Sequence, residues 1–237
     1  MLALEKVNTY YGNSHVLHDV SLTVGSGEVV ALVGRNGVGK TTSMRTVMGL
    51  TPARRGRIFF KGKDVTRRKP YEVAREGIGF VPEERWIFPS LTVHQNLLIG
   101  IKSDRYARKT GPGLWTLEKC YETFPELKRR QGAKGRTLSG GEQQMLTIAR
   151  TLVGNPELIL IDEPTEGLAP KIVDLVAEII REISRQGITI LLVEQKLSIA
   201  LELACRIYIM SKGMIPWEGT PETLRQNEEV RKAYLEV

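Results

Sequence analysis

The run Gly34-Arg-Asn-Gly-Val-Gly39-Lys40-Thr41 constrains this chain more than any other part of it. It follows Glu28-Val-Val-Ala-Leu-Val33, an apolar run of buried-strand length, and opens a segment from Lys40 to Met48 whose pattern predicts a helix. A strand, a glycine-rich turn and a helix in that order aim backbone N–H groups at one point in front of the helix N-terminus, where the field favours anions. Gly34, Gly37 and Gly39 allow the tight turn. Lys40 is then expected to reach the β- and γ-phosphates of a nucleotide and Thr41 to hold Mg²⁺ through its hydroxyl. Asn36 and Thr42 line the cradle, with Arg35 and Val38 completing the loop. A turn of this form arises by chance in on the order of one chain in a hundred of this length, and the flanking strand and helix lower that further.

A second apolar run, Leu158-Ile-Leu-Ile161, ends in two carboxylates, Asp162 and Glu163. Buried parallel strands deliver side chains at their carboxyl ends, where ligands bind in open α/β sheets. Asp162 is placed to hold Mg²⁺ through its water shell and Glu163 to orient or deprotonate an attacking water. Taken alone, such a run usually marks only a strand edge; its weight comes from the glycine-rich turn upstream. A third feature is Leu138-Ser139-Gly140-Gly141-Glu142-Gln143-Gln144. Ser139 can cap the helix that follows, and the two glycines expose backbone N–H groups, so this is a second phosphate-ready helix N-terminus. One nucleotide site has no evident use for two of them, and the economical reading is that the second serves a neighbouring copy.

Apolar runs of strand length alternate with helix-period segments, which predicts an α/β fold. Met145, Ile148, Ala149, Leu152 and Val153 share one helical face. So do Ile172, Leu175, Val176, Ile179, Ile180 and Ile183, with Gly187 ending that helix before the strand 188–193. The early region, Val7, Leu17, Val20, Leu22 and Val24 and then Arg57-Ile-Phe-Phe-Lys61, reads as half-buried antiparallel strands. Residues 84–137 are polar, basic and rich in Pro and Gly, and predict a separate, mainly helical lobe. At 237 residues with 41% hydrophobic content, one unit with insertions fits best. The three histidines (His15, His18, His94) and two cysteines (Cys120, Cys205) are too scattered for a zinc site or a disulfide framework, and a reducing compartment is expected. No stretch approaches membrane-spanning length, so membrane contact is expected only through a partner. The +7 charge is clustered: Arg54, Arg55 and Arg57; Arg67-Arg68-Lys69; Arg105 with Arg108-Lys109; Lys128-Arg129-Arg130 with Lys134 and Arg136. No zinc-finger spacing or aromatic RNA motif accompanies it, so a solvated face or anionic lipid fits better than specific nucleic acid.

With these four elements in order, Tyr11-Gly12, residues 34–41, 138–142 and 158–163, the chain resembles the ABC (ATP-binding cassette) ATPase family over essentially its whole length. The resemblance implies a P-loop NTPase cassette with a RecA-like core, an antiparallel β subdomain and a helical signature subdomain. It implies one domain over 1–237, with core and β subdomain at about 1–83 and 155–237 and the helical lobe at about 84–154. In that family two cassettes sandwich two ATP molecules head to tail, each between the Walker A loop of one and the signature of the other. ATP-binding is thereby assigned to Tyr11, stacking on adenine, and to Gly34 through Thr42. The signature Ser139, Gly140, Gly141 and Glu142 acts on the partner's ATP, and Thr41, Asp162 and Glu83 serve Mg²⁺.

Within the family the chain is most similar to ATPase subunits of branched-chain amino acid importers, through Val81-Pro-Glu-Glu-Arg85, Ile87-Phe-Pro-Ser-Leu-Thr-Val93, Asp162-Glu-Pro-Thr-Glu-Gly-Leu-Ala-Pro170, Val193-Glu-Gln195 and Asn227-Glu-Glu-Val-Arg-Lys-Ala-Tyr-Leu235. Glu83 stands where the wider family has a coupling glutamine, Gln195 where a histidine contacts the γ-phosphate, and Ala169 where an aspartate is usual. Glu163 and Gln195 are therefore the expected catalytic pair. Expected partners are a second cassette, like or unlike, transmembrane permease subunits and, indirectly, a solute-binding protein, at the cytoplasmic face of the membrane. Importers of urea or short amides, lipid exporters and soluble iron–sulfur assembly ATPases are the alternatives.

Overall fold

The computed structural model describes residues 1–102 and 114–235; the basic cluster Arg105, Arg108 and Lys109 lies outside them. The chain opens with two long strands, β1 (Leu2–Tyr11) and β2 (Ser14–Val24), joined by a tight hairpin, and passes to β3 (Val29–Val33), which leads into α1 (Lys40–Val47). Then follow β4 (Arg55–Phe60), the short β5 (Lys63–Asp64), α2 (Pro70–Glu76) and β6 (Ile78–Val81). Short helices come next, α3 (Val93–Gly100), α4 (Leu117–Thr123) and α5 (Pro125–Arg129) among the described residues. The second half runs α6 (Gly140–Leu152), β7 (Leu158–Asp162), α7 (Pro170–Arg185), β8 (Thr189–Glu194), α8 (Leu197–Leu203), β9 (Arg206–Ser211), β10 (Met214–Gly219), α9 (Pro221–Gln226) and α10 (Glu228–Tyr234).

Two sheets result. The larger has the order β10-β9-β3-β8-β7-β6 and is parallel except for the β9–β10 hairpin. The smaller, β2-β1-β4-β5, is antiparallel. β3, β7 and β8 are buried along their whole length, as befits parallel strands covered on both faces. Alternate residues feed two separate cores. Val29, Ala31, Val33, Ile159, Ile161, Ile190 and Leu192 point toward α6, α7 and the short helices. Val30, Leu32, Leu158, Leu160, Leu191 and Val193 pack on α1 and on the inner face of the antiparallel sheet. At about 2 kcal/mol for each such side chain taken out of water, this double-sided burial fixes the register of the central strands. A one-residue slip would exchange the two cores.

The helix ends follow local rules. Ser139 caps α6, its Oγ accepting from Glu142 N at 3.3 Å while Glu142 Oε2 accepts from Ser139 N at 2.7 Å, a reciprocal box. α7 opens with Pro170 at its first position and stops where Gly187 takes φ 78°. α1 begins on Gly39, whose φ of 112° lies in the region that other residues avoid.

Candidate nucleotide site

The carboxyl ends of four neighbouring strands converge on the start of α1. β3 runs into the glycine-rich turn, β6 leads to Glu83, β7 ends at Asp162 and β8 ends at Glu194, with Gln195 next. They bound a cleft of about 270 Å³ lined by Val16, Asn36, Gly37, Gly39, Lys40, Thr41, Thr42, Glu83, Glu163 and Glu166. A wider groove of about 970 Å³ lies over the outer face of the antiparallel sheet and contains none of the residues predicted to bind phosphate.

Lys40 is 4% exposed and its ammonium is fully engaged, 3.0 Å from the Gly34 carbonyl, 3.0 Å from the Arg35 carbonyl and 3.1 Å from Glu163 Oε1. Val38 closes the turn, its carbonyl accepting from Gly213 N at 2.9 Å. The Thr41 hydroxyl donates to Asp162 Oδ1 at 3.2 Å. Asp162 Oδ2 is buried and has no protein partner. Burial, opposed by the Thr41 bond and reinforced by Glu163, Glu83 and Glu84, pushes the Asp162 carboxyl up to about 7. Glu83 is also raised, first by desolvation and then by Glu163. No group of three or more His, Cys, Asp or Glu with metal-ligand spacing occurs among the described residues. An orphaned carboxylate oxygen beside a hydroxyl nonetheless suits Mg²⁺, which takes one or two protein oxygens and completes its shell with water and substrate phosphate.

Of the predicted residues, Gly34, Arg35 and Val38 belong to the turn without lining the cleft and Asp162 is buried beside Thr41, whereas Tyr11 and Gln195 stand outside it and exposed. Tyr11 is exposed at the hairpin, its hydroxyl accepting from Thr51 Oγ1 at 3.4 Å. Gln195 is exposed just past β8, its backbone N–H held by Glu194 Oε1 at 2.9 Å. Ser139, Gly140, Gly141 and Glu142 cap α6 away from this cleft, with Glu142 3.3 Å from Arg130.

Three contributors were not singled out from sequence. Glu166 lines the cleft. Glu194 is 2% exposed and accepts from Gln195 N, from Lys196 N at 3.0 Å and from Thr165 Oγ1 at 3.0 Å, so a buried carboxylate shapes the turn that presents Gln195 and joins it to the loop after β7. Its pKa is raised by desolvation against those bonds. A charge closing an otherwise apolar strand was the available signal, because an ion is buried only where partners wait for it. The third is Arg85, whose guanidinium donates to the Glu166 carbonyl at 2.7 Å.

A largely parallel sheet with a phosphate-ready turn after β3, paired carboxylates at the end of β7, the next strand but one, and a second capped helix N-terminus facing elsewhere defines an ATP-binding cassette, and the sequence pattern of the ABC transporter family matches residues 17–166. The chain belongs to that family and is an ATPase of the kind coupled to transport. It is 42% identical, over 99% of its length and 99% of the relative, to the high-affinity branched-chain amino acid transport ATP-binding protein BraG of Pseudomonas aeruginosa. It is 36% identical, over 99% of its length and 97% of the relative, to the lipopolysaccharide export system ATP-binding protein LptB of Haemophilus influenzae. A solved dimeric ATP-binding cassette in a post-hydrolysis state bound to ADP and Pi superposes with a TM-score of 0.78, at 25% identity, covering 93% of this chain and 99% of that one.

Proposed function

We propose that this chain is the ATP-hydrolysing subunit of an importer for branched-chain or other hydrophobic amino acids. It would act as one cassette at the cytoplasmic face of the membrane, paired with a second cassette and with permease subunits served by a solute-binding protein. The observation that carries the substrate class is the end-to-end 42% identity with a branched-chain amino acid transport ATPase. The likeness to a lipopolysaccharide export ATPase supports lipid export as the second reading. Domain roles follow the sequence boundaries, with core and antiparallel sheet at about 1–83 and 155–237 and the helical lobe at about 84–154 meeting the membrane partner.

In this reading the backbone N–H groups of residues 36–42 and the Lys40 ammonium receive the phosphates, and Tyr11 stacks on adenine. Thr41, Asp162 and Glu83 are the residues that would hold Mg²⁺, which when bound offsets charge on the β- and γ-phosphates. Glu163, on the wall of the cleft, orients the water and takes its proton. Gln195 donates its amide to the γ-phosphate side, placed there by the Glu194 turn. The Ser139 to Glu142 cap, remote from the chain's own cleft, serves the partner's nucleotide. No helix among the described residues is long and apolar enough to cross a membrane, so force reaches the bilayer through the permease. Exposed Trp86, Phe88, Leu98, Ile99 and Ile101 give the lobe an apolar contact surface for it.

Purification of the tagged chain from a detergent extract, identification of its transmembrane partners, and uptake of radiolabelled leucine and urea into proteoliposomes containing them test this function. Recovery of lipid-export subunits, or ATP-dependent uptake of urea without leucine, overturns the amino-acid assignment.

A further inference from the structure

The segment between β6 and α3 is held from two directions by arginines. Arg85 adopts φ 51°, a left-handed conformation that costs a non-glycine residue about 1 kcal/mol or more. That backbone sends its side chain across to two other segments. Nη2 donates to the Glu166 carbonyl, three residues beyond Glu163. Nη1 lies 2.8 Å from where a Cβ on Gly140 would stand, at the first turn of α6. One residue further on, the Trp86 carbonyl accepts from Arg150 Nη2, and the Arg150 guanidinium sits 5.2 Å from the Phe88 ring centroid. Arg150 belongs to α6, the helix that Ser139 caps.

Four functional regions therefore meet at adjacent residues. Glu83 is two positions before Arg85, the loop after Glu163 is hydrogen-bonded to it, the signature glycine packs on it, and exposed Trp86 and Phe88 follow it. We infer that Arg85 is a positioning residue that ties the chain's own hydrolytic carboxylates to its signature. On this view Gly140 is glycine because the guanidinium fills the space a side chain would need. The inference rests on the sandwich reading above, in which the signature acts on the neighbouring cassette's ATP. It adds that the two edges of one chain are mechanically linked through a single side chain. A methyl group at position 140 would push Nη1, the far end of a flexible side chain, aside, and the shift would disturb the bond that Nη2 of the same guanidinium makes to the Glu166 carbonyl.

The test is a double-variant cycle on the full chain: Arg85→Ala, Arg85→Lys, Gly140→Ala and Arg85→Ala with Gly140→Ala. Binding of a non-hydrolysable ATP analogue, steady-state ATPase rate and hydrogen exchange at the amides of residues 36–42 and 139–143 are measured for each. Arg85→Ala is expected to lower kcat roughly tenfold, the scale of one lost charge-assisted hydrogen bond, while analogue affinity and exchange at 36–42 stay at wild-type values. Exchange at 139–143 should quicken. Arg85→Lys, which keeps the charge without the fork, should fall between. Gly140→Ala should quicken exchange at 139–143 alone and quicken it no further in the Arg85→Ala background. Additive effects on that exchange, or exchange at 139–143 that does not respond to Arg85→Ala, overturn the link. A fall in analogue affinity equal to the fall in kcat also overturns it, since the residue would then serve nucleotide binding. If wild-type chain binds the analogue yet neither dimerises nor hydrolyses with ATP, the sandwich reading fails, and the inference fails with it.

Discussion

Replacing Asp162 by asparagine should stabilise the chain in the absence of divalent cation, and increasingly so as pH rises. Asp162 is 1% exposed, and one of its oxygens has no protein partner. Its carboxyl stands at about 7 against an ordinary aspartate value of 3.8, chiefly because burial penalises the ionised form. An acid whose folded pKa is raised binds more protons folded than unfolded between those two values, so stability falls as pH climbs through that window. At about 1.4 kcal/mol per pH unit, the raised carboxyl costs about 4 kcal/mol by pH 8 and only about 1.6 kcal/mol at pH 5, where the fold holds it protonated. Asparagine keeps the shape and the acceptor for Thr41 Oγ1 while removing the charge. Urea unfolding in EDTA at pH 5 and pH 8 should show Asp162→Asn more stable than wild type at both, with an advantage larger by about 2 to 3 kcal/mol at pH 8. Mg²⁺ should stabilise wild type and leave the variant unmoved. A variant that is less stable, or whose advantage does not change with pH, would refute the argument that burial of this charge sets the cost.

Other substitutions probe the remaining groups. Lys40→Ala removes the ammonium at the glycine-rich turn and should abolish ATP binding and turnover together, measured by equilibrium titration and phosphate release. Ser139→Arg should leave nucleotide binding by the monomer intact and block ATP-dependent dimerisation, read by size-exclusion chromatography with ATP; unchanged dimerisation counts against the sandwich. Gln195→Ala should depress turnover of the complex with its partner cassette more than binding. Gln195→His should be tolerated but bring a new dependence on pH between 6 and 9, because an imidazole titrates near neutrality where an amide does not. A flat profile for Gln195→His removes that side chain from the reacting groups.

What was legible in the sequence was whatever local chemistry forces. The turn at 34–41 needs its glycines, the strands ending at Val33 and Asp162 are apolar on both faces, and the Ser139 box writes itself in four residues. β3, α1, α6, β7, α7 and β8 accordingly lie where the periodicity put them, within a residue or two at their ends. Less legible were β6, β9 and β10. Ile78–Val81 is only four residues long and half-buried at its centre, β9 is buried on both faces and so shows no alternation, and β10 alternates only between exposed and half-buried positions. The antiparallel strands expected from the early apolar positions are present as β1, β2 and β4, but the bounds of β1 and β2 were not legible, because shifts near Val7 and Thr9, with Lys6 at φ 46°, interrupt their period. Within the site, Glu194 and Arg85 were hidden for a different reason. Arg85 donates to a backbone carbonyl far along the chain, and Glu194 accepts from the N–H groups of the two residues after it and from the Thr165 hydroxyl; a carbonyl or an N–H carries no sequence signature. Tyr11 and Gln195, assigned through family resemblance, stand outside the cleft lining, so no local chemistry in this chain would have chosen them.

Lys40 and Glu163 together carry a consequence for binding. An ammonium has three N–H donors and no acceptor, and in this chain all three have partners: the Gly34 carbonyl, the Arg35 carbonyl and Glu163 Oε1. To reach a β- or γ-phosphate, Lys40 must exchange at least one of them. The carbonyls belong to the turn that forms the cradle, so the exchangeable partner is Glu163, the carboxylate proposed above to activate water. ATP binding and release of Glu163 toward water are then the same event. Glu163→Gln replaces an ionic acceptor with a neutral one and weakens the competitor, so it should bind a non-hydrolysable ATP analogue more tightly than wild type even as hydrolysis falls by orders of magnitude. The difference between a charged and a neutral hydrogen bond, about 1 kcal/mol, corresponds to roughly fivefold in Kd. Isothermal titration with the analogue reads that gain, and AMP, whose single phosphate does not extend to Lys40, is the control and should show none. Equal affinity for the analogue in the two proteins would mean that Lys40 reaches the phosphates without giving up Glu163. A gain for AMP as large as for the analogue would trace the effect to net charge in the cleft rather than to this exchange.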